Sequence, residues 1–174
     1  MALTLTNDFE RVKRHYLDVI AHTPDMDRHA RWVYGKHPTD AMLRGYIDRG
    51  ELYVWEEDGA VAGTVALGLC QRDAEYEAIP WAKALKSDEV AVMHLLAVSP
   101  NFQGKGVASE ILNAALDLAA KNGKKAFRLD ALASNVPAQR LYERAGFVLR
   151  GVQNLYAENT GYTDFRFYEK TLDR

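Results

Sequence analysis

One cysteine, Cys70, stands in 174 residues. That excludes a disulfide framework within the chain and a cysteine-built zinc site. A lone thiol in an apolar stretch reads as a small core residue. No stretch approaches the roughly 18 consecutive apolar residues of a membrane-spanning helix. The first residues lack a basic segment followed by an apolar one, so the expected location is cytoplasmic. Charge of one sign is missing too: 22 Lys and Arg face 24 Asp and Glu, a net charge of −2. Binding to nucleic acid or to a membrane driven by bulk electrostatics is excluded. His22, His29 and His37 lie near one another without helical ligand spacing, and no metal site is expected. There is no repeat, low-complexity tract or linker. The 48% of apolar residues can fill one core, and residues 1–174 are expected to form a single domain.

What is present is a clear alternation of strand and helix signals. Residues 1–6 carry a weak edge-strand pattern. Asn7 or Asp8 can cap a helix whose stripe is Phe9, Val12, Tyr16, Val19 and Ile20, ended by Pro24. Residues 25–37 are polar and irregular. Pro38-Thr39-Asp40 opens a second helix with Leu43, Tyr46 and Ile47, closed at Gly50. Leu52–Glu56 and Val61–Leu67 flank Asp58-Gly59, the signature of a tight hairpin. Residues 71–89 show no period, only a helical turn around Trp81–Leu85. Their acids Asp73, Glu75, Glu77, Asp88 and Glu89 make this stretch a candidate lid that attracts a cation.

The stretch Val90–Leu112 organises the rest. A branched apolar run ends at Val98, Ser99-Pro100-Asn101 breaks it, and two glycines at 104 and 106 precede a helix. That helix buries Val107, Ile111, Leu112, Ala115, Leu118 and Ala119, with its C-cap near Gly123. Strand, glycine turn, helix N-terminus is an arrangement whose free amides and positive dipole end suit a phosphate. The P-loop pattern fails, because Lys105 is followed by glycine and no second glycine lies upstream. The dinucleotide fingerprint fails as well: Ser109 stands where it needs glycine, and Asp130 comes late for its acidic partner. Beyond the helix, Phe127–Leu132 reads as a strand parallel to the first, since a helix separates them. Asn135 and Pro137 start a further helix running to Arg144. A final hairpin joins 147–156 to 163–168, where Thr163, Phe165 and Phe167 alternate with Asp164, Arg166 and Tyr168 as one-sided burial requires.

Two of these segments resemble one family. Gln103-Gly-Lys-Gly-Val-Ala108 is similar to the Gln/Arg-x-x-Gly-x-Gly/Ala pyrophosphate loop of the GNAT N-acetyltransferases. Asn135-Val-Pro-Ala-Gln-Arg-Leu-Tyr-Glu-Arg-Ala-Gly-Phe147 resembles their Asn-x-x-Ala-x-x-Leu-Tyr-x-x-x-Gly-Phe signature. The resemblance implies an α/β fold of mixed type: a central, mostly antiparallel sheet with one splayed parallel strand pair, flanked by helices. It implies acetyl-CoA as co-substrate. The amides of Gln103, Gly104, Lys105, Gly106, Val107 and Ala108 would hold the pyrophosphate, and the main chain of Leu96, Ala97 and Val98 the pantetheine arm. Asn135 and Ala138 would touch that arm from the other side. It also implies Tyr142 as the acid that protonates the departing sulfur, and His94 as a candidate base.

The expected reaction is acetyl transfer to a primary amine, of a small molecule or a peptide, by direct attack in a ternary complex. A homodimer is open. Two alternatives are a non-catalytic acyl-CoA-binding module of the same fold and a nucleotide-binding α/β regulator. The acid at Tyr142 favours the enzyme over the first, and the failed phosphate motifs count against the second.

Overall fold

A computed structural model describes residues 1–172. The weak signal at the start is a strand, β1 (Leu3–Leu5), on one edge of the sheet. Helix α1 (Phe9–His22) begins where Asp8 accepts the Arg11 amide, and it buries Phe9, Val12, His15, Tyr16 and Val19. Helix α2 (Asp40–Asp48) is capped in the same way by Thr39 on Met42. Strands β2 (Leu52–Glu57) and β3 (Ala60–Gly68) are joined by Asp58-Gly59, both at positive φ, as the two-residue hairpin turn demands.

Then come β4 (Val90–Val98), α3 (Val107–Lys121), β5 (Ala126–Leu132) and α4 (Val136–Arg144). Strands β6 (Val148–Ala157) and β7 (Gly161–Thr171) finish the described chain. The seven strands order as β1-β2-β3-β4-β5-β7-β6, and only β4 and β5 run parallel. The expected mixed fold, a mostly antiparallel sheet with one parallel pair between helices, is what forms.

Helices α3 and α4 cover one face of the sheet, with Ile111, Leu112, Ala115 and Tyr142 packed on Val65, Met93, Phe127 and Tyr168. The other face is shared. Helices α1 and α2 sit over β2–β4, and the 71–89 segment sits over β4, β5 and β7 through Tyr76 and Ile79. That sharing corrects the expectation of one-sided burial in the last hairpin. Phe167 and Tyr168 are adjacent and both fully buried, because β7 lies inside the sheet with cover on both faces.

The expected helical turn at Trp81–Leu85 is also corrected: single 3-10 turns form at Ala74–Tyr76 and Ser87–Glu89. Trp81 is held instead by its indole N–H on the Tyr76 carbonyl and by its ring over the Arg128 guanidinium, 4.2 Å away.

Two features of β4 position the site. Its pairing with β5 covers Val90–Met93 against Ala126–Leu129 and then stops. From His94 and Asp130 onward the two strands diverge. Second, β4 carries a bulge: Leu95 and Leu96 stand opposite Val65 alone, with Leu95 at φ +55°. The extra residue shifts the side-chain parity. Val92 faces the 71–89 segment, whereas Leu95 and Ala97 face α1 and Leu96 and Val98 face α3. Helix α1 holds this shape, since Tyr16 donates to the Leu95 carbonyl at 2.6 Å and His15 meets the Ala97 carbonyl at 3.3 Å.

Candidate active site

The divergence opens a cleft of about 910 Å³ between β4 and β5, roofed by residues 23–32 and by the β6–β7 hairpin. Asn159 donates to the Arg31 carbonyl and Ser134 to that of His29, so this roof is tied to both the hairpin and the start of α4. His94, Leu96, Ala97, Val98, Gln103, Ala108, Asn135, Ala138 and Tyr142 all line the cleft. Five residues of the two sequence motifs and four of the strand before them thus meet around one space.

Gly104, Lys105 and Gly106 form an exposed rim beyond it. Gly104 and Gly106 sit at φ +73° and +85°, a backbone region costly for residues with a Cβ. A Cβ at either would meet nothing within 4 Å, so the outer face of the turn is open to a ligand. Val107, the first residue of α3, puts its side chain in the core and leaves its amide at the helix start. The Gln103 side chain turns inward, donating to Thr23 Oγ1 at 2.9 Å and to the Val98 carbonyl at 3.1 Å. Lys105 donates to the Asn101 carbonyl and lies over the Phe102 ring. Asn135 caps α4 by accepting the Ala138 amide.

Tyr142 is buried on α4, its ring 6.0 Å from those of Phe147 and Tyr168. Burial, helped by the nearby Asp130 charge, raises its hydroxyl above the usual tyrosine value, so it keeps its proton at neutral pH. Gln139, one turn before, fixes the helix by donating to the carbonyls of Leu132 and Ala133.

His94 stands at the fork itself. Nε2 lies 3.2 Å from Asp73 Oδ2, and Nδ1 lies 4.0 Å from Asp130 Oδ2. Tyr76 donates to that same Asp130 oxygen at 2.6 Å. The largest single influence on the imidazole is burial, which lowers its pKa. The hydrogen bond to Asp73 and the fields of Asp130, Asp73 and Glu75 together outweigh it, and the net direction is upward. Asp73 shows the same coupling from the other side. Burial, the largest influence, opposes its charge, but the bond and charge of His94, a backbone hydrogen bond and Arg72 together outweigh it and lower its pKa.

Sequence reasoning named Asp73 only as one acid of the candidate lid, not as the partner of His94, and missed Asp130 as a member of the site. Asp130 was legible in principle, because aligning two parallel apolar strands from Val90 and Ala126 brings it beside His94. The pairing of Asp73 with His94 carried no such signal. The lid expectation splits accordingly: Asp73 and Glu75 line the cleft, whereas Glu89 pairs with Lys125 at the far end of the segment. The segment is also pinned. Arg72 pairs with Glu51, and the buried Arg128 donates to Glu169, to Gln71 and to the Lys83 carbonyl.

A parallel pair that parts at a bulge leaves a slot open beside β4, with a glycine turn at its mouth. Comparison with known proteins identifies the family. Residues 14–147 match the acetyltransferase (GNAT) family. The chain belongs to that family. It is 25% identical over 179 residues to the uncharacterized N-acetyltransferase YesJ of Bacillus subtilis, covering 97% of this chain and 93% of that one. It is 30% identical over 100 residues to an uncharacterized N-acetyltransferase of Methanocaldococcus jannaschii, a match that takes in 58% of this chain and 40% of the archaeal protein's length. In three dimensions it resembles yncA of Salmonella typhimurium, solved with its cofactor acetyl-CoA. There the TM-score is 0.71 at 19% identity, over 100% of this chain and 95% of that one. No helix among the described residues is long and apolar enough to cross a membrane.

Proposed function

We propose that this protein transfers the acetyl group of acetyl-CoA to a primary amine by direct attack within a ternary complex. The observation that carries this reading is the fork. An open strand edge, a buried proton donor and an imidazole with carboxylate partners converge on one cleft. Acetyl-CoA supplies an activated acetyl group and a thiolate leaving group.

The turn amides from Gln103 to Ala108 would hold the diphosphate, since the Gln103 and Lys105 side chains are already occupied in bracing the turn. The edge of β4 from Leu96 to Val98 would take the pantetheine arm as an added strand. A main-chain N–H near Leu96, displaced by the bulge, would donate to the carbonyl oxygen as negative charge develops there.

Two proton transfers remain. An alkylammonium has a pKa near 10.4, so at pH 7 only roughly one molecule in 2,500 is nucleophilic. Recovering that deficit is worth about 4–5 kcal/mol and falls to His94, whose Nε2–H donates to Asp73 and leaves Nδ1 to receive the proton. Tyr142, kept protonated by burial, gives its proton to the sulfur.

Thiol release from acetyl-CoA over a panel of primary alkylamines, amino acids and aminoglycosides tests the reading. Tight acetyl-CoA binding with no thiol release on any acceptor would instead favour the acyl-CoA-binding module.

A further inference from the structure

Asp130 has no part in the two motifs, yet it occupies the point where the parallel strands separate. Met93 and Leu129 are the last residues in register, and His94 and Asp130 follow them on either side of the opening. Their facing atoms, His94 Nδ1 and Asp130 Oδ2, are 4.0 Å apart, too far for a hydrogen bond. The gap nevertheless has the size of one bridging atom. A nitrogen roughly 2.9 Å from each partner spans it at an angle of about 90°, within reach of two N–H bonds of a tetrahedral ammonium.

Both partners are held in place. Tyr76, fully buried and fixed against Trp81 and Phe167, donates to Asp130 Oδ2 and sets the carboxylate's orientation. Asp73 holds Nε2 of the imidazole, which turns Nδ1 toward Asp130.

We propose that Asp130 is the residue on which the acceptor's ammonium group docks, its nitrogen seated between the Asp130 carboxylate and Nδ1 of His94, with Asp73 as the positioning residue. The proposal rests on the acetyltransferase reading and names its acceptor class, alkylamines that arrive protonated. In the step itself one N–H bond of the ammonium breaks and its proton forms a bond to Nδ1. The electron pair left on nitrogen then attacks the acetyl carbon. The imidazolium so formed lies between two carboxylates, and Asp130 goes on accepting a hydrogen bond from the amine. The C–S electron pair leaves with sulfur and takes the Tyr142 proton. The acylated nitrogen breaks its second N–H bond and releases that proton past Asp130 to solvent, from which the Tyr142 phenolate is reprotonated.

The groups facing His94 are Asp73, Glu75 and Tyr76 from the 71–89 segment, Asp130 from β5, Tyr46 from α2 and His37 from the segment before it. The carboxylates favour the protonated ring in the empty site. A cation seated beside Nδ1 opposes that charge, so docking itself readies the ring to accept a proton.

The test is steady-state thiol release with the best alkylamine of the panel, across pH 5.5–9, with acetyl-CoA affinity measured in parallel by calorimetry. Asp130→Asn should lower kcat/KM at least about 30-fold, chiefly through the amine KM, with acetyl-CoA affinity within about twofold of wild type. Asp130→Glu should recover part of the loss. Asp73→Asn should move the acidic limb of the kcat/KM profile to lower pH, a shift that general loosening would not give. Tyr76→Phe, which keeps the ring and removes only the hydroxyl, should raise the amine KM several-fold and serves should the Asp130 variants not fold. If Asp130→Asn acetylates the amine within about twofold of wild type, the docking role is wrong although the enzyme is an acetyltransferase. If wild type itself releases no thiol with any amine, the acetyltransferase reading falls first.

Discussion

At the scale of single residues the site depends on where protons sit. Tyr142 lies in the core beneath the cleft, and burial raises its pKa above the ordinary tyrosine value. As the proposed proton donor to sulfur it would then be fully loaded at neutral pH. Tyr142→Phe should lower turnover by about 10²-fold or more while acetyl-CoA affinity stays close to wild type. Unchanged pre-steady-state acetyl transfer would remove the role, and the transient measurement sees past slow product release. His15 provides a residue-scale test of stability. Burial, only partly offset by its contact with the Ala97 carbonyl, lowers its pKa to about 4. The unfolded ring titrates near 6.5, so between these values the unfolded chain binds the extra proton. Stability from this group is whole above pH 6.5 and is lost on descent toward pH 4, up to about 3 kcal/mol. His94, shifted the other way, contributes stability at low pH and loses it as pH rises through its folded value. Urea unfolding of wild type and His15→Gln from pH 4 to 7.5 checks this: the wild-type curve should fall more steeply. Parallel curves would contradict the assignment.

The elements show what a linear pattern can and cannot carry. The Asp58-Gly59 turn, the Asp8 and Thr39 caps and the glycine turn before α3 each satisfy a local rule, and all form where the rule puts them. The β4 bulge escapes such reading. Val90–Val98 is apolar on both faces apart from His94, so no break in alternation marks the extra residue at Leu95. The bulge is fixed from outside, by α1. Tyr16→Phe removes the donor to the Leu95 carbonyl and should cost about 1–3 kcal/mol of stability, with a fall in kcat larger than any change in acetyl-CoA affinity. Equal kcat in the variant would detach the bulge from catalysis. The 71–89 segment was equally opaque, because its anchors are distant in sequence. Arg128 and Glu169, 2% and 1% exposed, form a buried pair under it, and Glu169 also receives the Ala82 amide. Arg128→Met leaves that carboxylate without its main counter-charge and should destabilise the fold by about 3–5 kcal/mol in chemical denaturation. A cost below about 1 kcal/mol would show that the pair does not hold the segment.

Over the whole molecule, the sheet has helices on one face and a divided cover on the other, and the cleft lies where the parallel pair leaves the sheet incomplete. The glycine turn, the strand edge and Tyr142 were legible because each belongs to a compact motif. The pairing of His94 with Asp73 was not, because it arises only when a distant loop is folded against β4, and Asp130 could be read only by aligning two strands rather than from a motif. On the proposed reading all of these parts act on one ligand, acetyl-CoA, whose diphosphate would lie against the open face of the turn. Calorimetric titration of acetyl-CoA into wild type and Gly104→Glu is therefore the most direct measurement. A glutamate at this position meets a backbone of φ +73° and places a carboxylate where the phosphates approach. Micromolar-range binding by wild type and none by a folded Gly104→Glu is the predicted result; equal affinity in the two proteins would contradict the account.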